Sequence, residues 1–146
     1  SGISDGAAAC VLMRNSDAAA KGLTPIATVV GHATHSHEPE WFTTAPVSAI
    51  SKLLEKIAWD VADVDLFEVN EAFAAVTMAA MTELNIAHDK INVNGGACAL
   101  GHPIGASGAR LVVTLIHALQ QRGLKRGVAS LCIGGGEATA IAIELA

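Results

Sequence analysis

Residues 128–145 read VASLCIGGGEATAIAIEL, two apolar runs joined by Gly134-Gly135-Gly136-Glu137. Short apolar runs bounded by glycines are typical of β-strands. Because the glycines between them favour a tight connection, we predict that residues 128–133 and 138–145 form an antiparallel strand pair. This pair sets the fold class, since the chain before it alternates between strand and helix patterns.

Further strands and helices are predicted along the rest of the chain. Apolar runs indicate strands at residues 7–13, 26–30 and 66–69, the first of them buried on both faces. Capping residues, prolines and four-residue apolar spacing indicate helices at residues 16–21, 47–57, 72–84 and 103–122. The resulting order β-α-β-α-β-α-α-β-β predicts an α/β fold with a mixed, mostly parallel sheet and helices on both faces.

The composition excludes several classes of function. At 146 residues the chain has the size of one domain. A net charge of -5, without any run of Lys or Arg, excludes nucleic acid and an anionic membrane surface as partners. No apolar segment is long enough to span a bilayer. We therefore expect a small ligand in a buried site.

The cysteines and the first residues indicate where the chain belongs. Cys10, Cys98 and Cys132 stand at wide spacings that fit neither a disulfide framework nor a metal-binding pair. They favour a reducing compartment, and we expect a cytoplasmic protein. The chain begins at Ser1 without a methionine or a signal-like leader, so we also expect it to be cut from something longer.

The segment around His102 is a first candidate for chemistry. Glycines at 101, 105 and 108 allow a ligand to approach the backbone, and a helix beginning after Pro103 brings positive potential to the imidazole. A neutral histidine in that position is suited to donate a hydrogen bond to a developing oxyanion. The alternative is an ordinary glycine-rich helix start with His102 merely exposed.

Cys132 ends a predicted buried strand and is followed by the three glycines. Its thiol can exchange protons with a substrate, and the glycine N–H groups can form an anion-binding nest. The alternative is a small buried apolar side chain before a hairpin turn.

A third segment is Asn70-Glu71-Ala72-Phe73, after the strand at 66–69. Asn70 is predicted to cap the following helix and is also able to hold a catalytic water, and these two roles are compatible. Glu71 is expected to complement the helix dipole in the first turn, and Phe73 to lie in the core with Val76 and Ala80. Because ligands of open α/β sheets bind at the carboxyl ends of strands, these segments can converge on one site.

His32, His35 and His37 suggest a metal site, but we expect none. In an extended chain His35 and His37 share a face and His32 lies opposite, so the three side chains do not converge. Cys10, in an apolar run, and Cys98, between alanines, are predicted to be structural.

Four segments together closely resemble the signature motifs of thiolases: NEAFA at 70–74, NVNGGA at 92–97, GHPIGASG at 101–108 and CIGGG at 132–136. The opening SGISDGAA also resembles the start of the C-terminal domain of that family, so the resemblance covers residues 1–146. It implies a thiolase C-terminal domain, one of two similar α/β halves, without the N-terminal half and the loop domain. Its activity would be reversible condensation or thiolysis of 3-ketoacyl-coenzyme A in fatty acid metabolism, including β-oxidation.

The resemblance also implies roles for individual residues. His102 would activate a nucleophilic cysteine and line a first oxyanion hole, completed by a water held by Asn70. Cys132 would be the general acid-base, and the N–H of Gly134 would contribute to a second oxyanion hole. Residues matching positions near the pantetheine arm of coenzyme A are Ser1, Ala72 and Phe73. Coenzyme A and acyl-coenzyme A would be substrates, with no tightly bound cofactor and no metal, and the intact enzyme would be a homo-oligomer.

Two departures from the family pattern limit what the chain does alone. None of its cysteines stands in the setting of the nucleophile, which the N-terminal half supplies, so the chain alone should not turn over. Cys98 replaces what is usually an aliphatic residue and is interpreted as a packing change of similar volume. A non-catalytic assembly or binding module derived from a thiolase is the alternative. A ketoacyl synthase relative is disfavoured, because those enzymes resemble arrangements without a second acid-base cysteine such as Cys132.

Overall fold

The computed structural model describes all 146 residues. Its helices are α1 (Asn15–Ala20), α2 (Ala45–Ile57), α3 (Ala74–Leu84), α4 (Ala97–Leu100) and α5 (Ser107–Arg122). Its strands are β1 (Ala27–Ser36), β2 (Leu66–Val69), β3 (Arg126–Ile133) and β4 (Glu137–Leu145). Short 3-10 turns cover Pro39–Trp41, Val61–Asp63 and His88–Lys90.

The four strands form one mixed sheet in the order β1-β4-β3-β2. The predicted hairpin is confirmed, since β3 and β4 pair antiparallel with Ser130 opposite Ala140. β2 pairs parallel with β3, whereas β1 pairs antiparallel with β4. The sheet is therefore mixed as predicted, but it is not mostly parallel. The reason is that the last strand folds back as a hairpin between β3 and β1 and so takes an antiparallel neighbour on each side.

Helices cover both faces of this sheet, as predicted. Side chains alternate between faces along a strand, so Phe67 and Val69 of β2 pack with α2 and α3, while Leu66 packs with α5. Each face has its own apolar cluster, of 16 buried residues on the α2 and α3 side and seven on the α5 side. The small side chains of β4, among them Ala138, Ala140 and Ala142, let α2 approach the sheet closely.

The predicted first strand, at residues 7–13, is wrong. This segment forms no helix or strand, and its apolar side chains are exposed, with Val11 at 90% and Leu12 at 73% of full exposure. An apolar run forms a buried strand only where a sheet partner and two covering layers exist, and none of the four strands pairs with it. By contrast, the strand predicted at 26–30 is present as β1, and it extends further than predicted, to Ser36.

The helix starts also differ from the prediction. α3 begins at Ala74, after an extended Phe73, so Asn70 does not cap it and Glu71 is not in its first turn. Phe73 is 56% exposed and contacts Phe42 edge-on, whereas Val76 and Ala80 are buried as expected. α5 begins at Ser107, four residues beyond Pro103. The residues predicted to start α3 have other partners, since Asn70 contacts His102 and Glu71 accepts from the backbone N–H of Cys98.

Candidate active site

The site lies where β2 and β3 end, at the carboxyl edge of their parallel pair. Asn70 follows β2 directly, and its backbone N–H donates to the carbonyl of Ser130 on β3 at 2.9 Å. Cys132 stands two residues beyond Ser130, roughly 7 Å along the strand at about 3.3 Å per residue. The structure thus places the carboxamide and the thiol at the same edge of the sheet.

The imidazole of His102 is held between two side chains. Its Nε2 lies 3.3 Å from Asn70 Nδ2, and its Nδ1 lies 2.6 Å from Ser107 Oγ. Ser107 Oγ donates its only hydroxyl proton to the carbonyl of Pro103 at 3.0 Å. With that proton directed at Pro103, Nδ1 donates to the serine and Nε2 accepts from Asn70. The network assigns a neutral imidazole with its proton on Nδ1.

The electrostatics of the pocket keep this imidazole neutral. Burial lowers the pKa of His102 below its ordinary value, and the α-ammonium group of Ser1 and the guanidinium of Arg110 lower it further. The backbone places the ring as well, since the N–H of His102 donates to the carbonyl of Gly2 at 2.9 Å. At neutral pH, Nε2 is therefore able to accept a proton.

Asn70 is 1% exposed, and its Oδ1 has no hydrogen-bond partner within the chain. Buried amide oxygens normally pair with a donor. The Asn70 side chain contacts His102 through Nδ2 and does not cap a helix as predicted. Its Oδ1 is left as an unpaired acceptor beside the imidazole.

Cys132 is half-buried, and burial raises the pKa of its thiol. The thiol is thus protonated at neutral pH and able to donate a proton. It makes no hydrogen bond to Asn70 or His102. The alternation of β3 turns it toward the α2 side of the sheet, among the residues that pack against the larger apolar cluster. The thiol and the imidazole share an edge of the sheet but not a direct contact.

The three glycines after Cys132 differ in their surroundings. Gly136 has φ +90 and packs closely on the backbone of residues 37–39, and its N–H donates to the carbonyl of Ile133 at 3.2 Å. Its amide is therefore used within the turn, contrary to the expectation of three free N–H groups. Gly134 is exposed, with no atom within 4 Å of the position a Cβ would take, so its backbone is open to a ligand.

The three residues matched to coenzyme A lie together near the site. Ser1 donates to the carbonyl of Ala72 from its hydroxyl at 2.9 Å and from its ammonium at 3.2 Å. Phe73, next in the chain, is exposed rather than in the core as predicted, and it presents an apolar surface beside these polar groups.

Sequence reasoning missed two supports beneath the site. Asn92 pairs with the backbone of Val69, accepting from its N–H at 2.9 Å and donating to its carbonyl at 2.8 Å. Glu71 accepts from Asn92 Nδ2 at 3.2 Å and from the backbone N–H of Cys98 at 3.1 Å, so it complements the start of α4 rather than α3. The available signal for Asn92 was its place at the start of the Asn- and Gly-rich stretch 92–101. The second support is an ion pair of Glu68 with Arg110. The sequence signal for it was a single charged residue within an apolar strand.

The remaining candidate residues lie outside the site. His32 and His35 belong to β1, and His37 follows it. Within the chain no group of three or more His, Cys, Asp or Glu side chains is arranged to hold a metal ion. Cys10 and Cys98 are both free and exposed, and the backbone N–H of Cys98 donates to Glu71 Oε2. None of the helices is long and apolar enough to cross a membrane.

Comparison with known proteins identifies similar sequences and structures. Residues 23–145 match the family model described as "Thiolase, C-terminal domain". An acetyl-CoA acetyltransferase of Chromobacterium violaceum is 55% identical over 144 residues, which cover 99% of this chain and 37% of that protein. The cytosolic acetyl-CoA acetyltransferase of Rattus norvegicus is 49% identical over 99% of this chain and 36% of its own length.

Two solved structures are similar in fold and sequence. The acetyl-CoA acetyltransferase of Bacillus anthracis superposes with a TM-score of 0.89 at 48% identity, covering 92% of this chain and 34% of that one. Human mitochondrial 3-ketoacyl-CoA thiolase superposes with a TM-score of 0.87 at 42% identity, covering 90% and 33%. The chain therefore spans about a third of the length of the proteins it matches.

Proposed function

The chain belongs to the thiolase family through its C-terminal domain, and from this premise we propose that it supplies the acid-base and oxyanion groups of a longer acyltransferase. The reaction would be reversible Claisen condensation and thiolysis of a 3-ketoacyl-coenzyme A with coenzyme A. Residues 1–146 would form one domain, and an N-terminal half and a loop domain would supply the rest. The observation that carries this proposal is the hydrogen bond between Asn70 and His102, formed across 32 residues at the end of β2.

The tautomer of His102 supports its role as a base. With its proton on Nδ1, the ring would offer the Nε2 lone pair to a thiol supplied by the N-terminal half, which would replace Asn70 Nδ2 as the partner of Nε2. After taking that proton, Nε2–H is able to donate to a thioester oxyanion. Asn70 Oδ1, which has no partner within the chain, would hold the water that completes this first oxyanion hole.

Cys132 would exchange the proton at the α-carbon of the substrate. Its raised pKa favours the thiol, the form that protonates the departing enolate in thiolysis. In synthesis its thiolate would remove the α-proton. The exposed N–H of Gly134, two residues further on, would stabilise the oxyanion of the acyl-enzyme.

Substrate binding would use the surface beside the site. Ser1, Ala72 and Phe73 would contact the pantetheine arm of coenzyme A, with the exposed Phe73 ring as its apolar part. Coenzyme A and acyl-coenzyme A are substrates in this proposal, with no tightly bound cofactor. The activity would belong to fatty acid metabolism, including β-oxidation, in a cytoplasmic homo-oligomer.

The test joins this chain to the N-terminal part of the Chromobacterium violaceum relative that it does not match, giving a chimera in which thiolysis of acetoacetyl-coenzyme A is measured. We expect His102→Ala and Cys132→Ser to lower kcat by about a hundredfold or more while the circular dichroism spectrum is unchanged. Cys10→Ser makes the same substitution at a thiol outside the site, so it is the matched control and should keep full activity. Near-normal activity of His102→Ala or Cys132→Ser would refute the roles proposed for them.

A non-catalytic assembly module is the second candidate, favoured by the exposed apolar side chains of residues 3–13. The chimera separates the two hypotheses, because an assembly module would bind its partner half and gain no thiolysis activity.

A further inference from the structure

One buried ion pair takes no part in the chemistry proposed above. Glu68, in the middle of β2, is 1% exposed, and its Oε2 contacts Arg110 Nη1 of α5 at 3.2 Å. The other carboxylate oxygen, Oε1, has no hydrogen-bond partner. The contact is therefore made through a single oxygen, without the two parallel bonds that make an Arg–carboxylate pair strong.

Stability does not account for this pair. Burial raises the pKa of Glu68 to about 7, because the attraction of Arg110 only partly offsets the loss of solvent. Ionised carboxylates in such sites cost free energy, and apolar replacements of buried pairs are often as stable or more stable. A charged residue between Phe67 and Val69 therefore calls for another role.

The pair lies directly beneath the histidine. Leu66, Glu68 and Asn70 alternate onto the α5 side, so Glu68 stands one step below the asparagine that contacts His102 Nε2. On α5, Arg110 stands three residues beyond Ser107, the residue that contacts Nδ1. The step is about 6.6 Å along the strand and about 4.5 Å along the helix.

The contacts close a ring. Glu68 lies in β2 and Asn70 directly follows it, while Ser107 and Arg110 lie in the first turn of α5. The two elements are joined at one end through His102 and at the other through the ion pair. We propose that the Glu68–Arg110 ion pair is a brace that positions His102, because it fixes the distance between β2 and the first turn of α5. For its effect on catalysis the brace rests on the function proposed above, but its effect on the imidazole does not.

Removal of the brace should release the imidazole. Without the ion pair the first turn of α5 is held to β2 through His102 and through the apolar cluster that begins at Leu111. Small changes in the separation of Ser107 and Asn70 then break one of two hydrogen bonds, and the Nε2–H tautomer becomes populated. Arg110 and Glu68 are thus positioning residues rather than catalytic residues.

The direct test is the tautomer of His102 in the 146-residue chain, read at pH 8 from long-range ¹H–¹⁵N spectra of the imidazoles. We expect the Nδ1–H form in the native chain and a mixture in Glu68→Gln. The matched control is Glu144→Gln, which removes an exposed ion pair with Arg126 at 2.9 Å without any link to His102. His117, exposed near the end of α5, reports inside the same spectrum that the helix stays folded.

The brace is refuted if His102 keeps the Nδ1–H form in Glu68→Gln as it does in Glu144→Gln. Should Glu68→Gln not fold, Arg110→Lys takes its place under the same criteria, because it keeps the charge but not the guanidinium. In the chimera, Glu68→Gln should lower kcat by about tenfold or more with KM within twofold, since misplacement of a base impairs turnover rather than binding. A parallel fall for Glu144→Gln would also overturn the proposal. An inactive chimera with a released imidazole in Glu68→Gln would refute the proposed function and leave the brace supported.

Discussion

Ser107 is completely buried, and its Oγ accepts a hydrogen bond from His102 Nδ1 at 2.6 Å. Ser107→Ala removes that acceptor, so the imidazole loses the contact that selects its tautomer. We predict that kcat of the chimera falls by about ten- to a hundredfold, because orienting partners of a reactive imidazole have effects of that order. Ser130→Ala is the control, since it deletes a hydroxyl that is also buried and donates only to the carbonyl of Thr139 at 2.8 Å. Equal activities of the two variants would contradict the assignment.

The buried carboxyl group of Glu68 should make stability depend on pH. Its pKa rises from 4.5 when unfolded to about 7 when folded, through burial, with Arg110 opposing and Glu71 adding to the rise. The folded state therefore binds the proton more tightly, and this contribution is complete below pH 4.5 and is lost as pH rises through 7. We predict that Glu68→Gln, which cannot ionise, gains up to about 3 kcal/mol relative to the native chain between pH 4.5 and 8. Urea unfolding of both proteins at pH 4.5 and pH 8 measures this gain. A difference in the free energy of unfolding that is the same at both pH values would contradict the raised pKa of Glu68.

Residue patterns identified the reactive groups but not their partners. His102, Cys132 and Asn70 were selected because each is a reactive or polar side chain beside a strand end or glycine-rich turn, and the structure puts them at one edge of the sheet. Ser107 and Arg110 were not selected, since their role depends on how α5 docks on β2. Asn70 and Glu71 were assigned to a helix start by local rules that long-range hydrogen bonds override.

Among the secondary-structure elements, β2 is paired at its end by a side chain, because Asn92 forms the hydrogen bonds to Val69 that a neighbouring strand would form. Asn92 has φ +48, and its side chain pairs with both backbone groups of Val69, which ends β2. Asn92→Gly keeps the left-handed backbone and deletes the side-chain bonds, so we predict a loss of about 1–3 kcal/mol in the free energy of unfolding. Asn85, which ends α3 at φ 53, is the matched control, and Asn85→Gly should change stability by less than about 0.5 kcal/mol. Equal losses in urea unfolding would show that Asn92 serves only as a left-handed residue.

Elements were predicted well where local pattern and packing agree. The strands at 66–69 and 128–145 and the apolar stripe of α2 match the structure closely, because their partners lie within the chain. Residues 7–13 have an equally strong apolar pattern and yet form no strand. An apolar pattern indicates that a segment is to be covered, and it does not indicate whether the covering surface belongs to the same chain.

For the whole molecule, that uncovered surface is the main feature. Residues 9–29 and the outer side of α5 enclose an apolar cavity of about 820 Å³, lined by Val11, Leu12, Met13, Val112 and Ile116 among others. Exposed apolar surfaces of this kind mark interaction sites. The chain spans 37% of its Chromobacterium violaceum relative, which leaves a larger part of such a protein to cover it. We expect the corresponding part of a longer protein to cover this cavity.

A surface dye tests this arrangement. The isolated chain should bind 8-anilinonaphthalene-1-sulfonate strongly and self-associate in sedimentation, because its apolar N-terminal segment is open to solvent. In the chimera both effects should fall by about tenfold, since the added half would bury the same side chains. Val11→Lys in the chimera should restore dye binding, because a buried ammonium without a partner weakens docking. Lys in place of Met78, an exposed side chain of α3 outside the cavity, is the control and should not restore it. Equal dye binding by the isolated chain and the chimera would mean that the cavity is covered by something other than the added half.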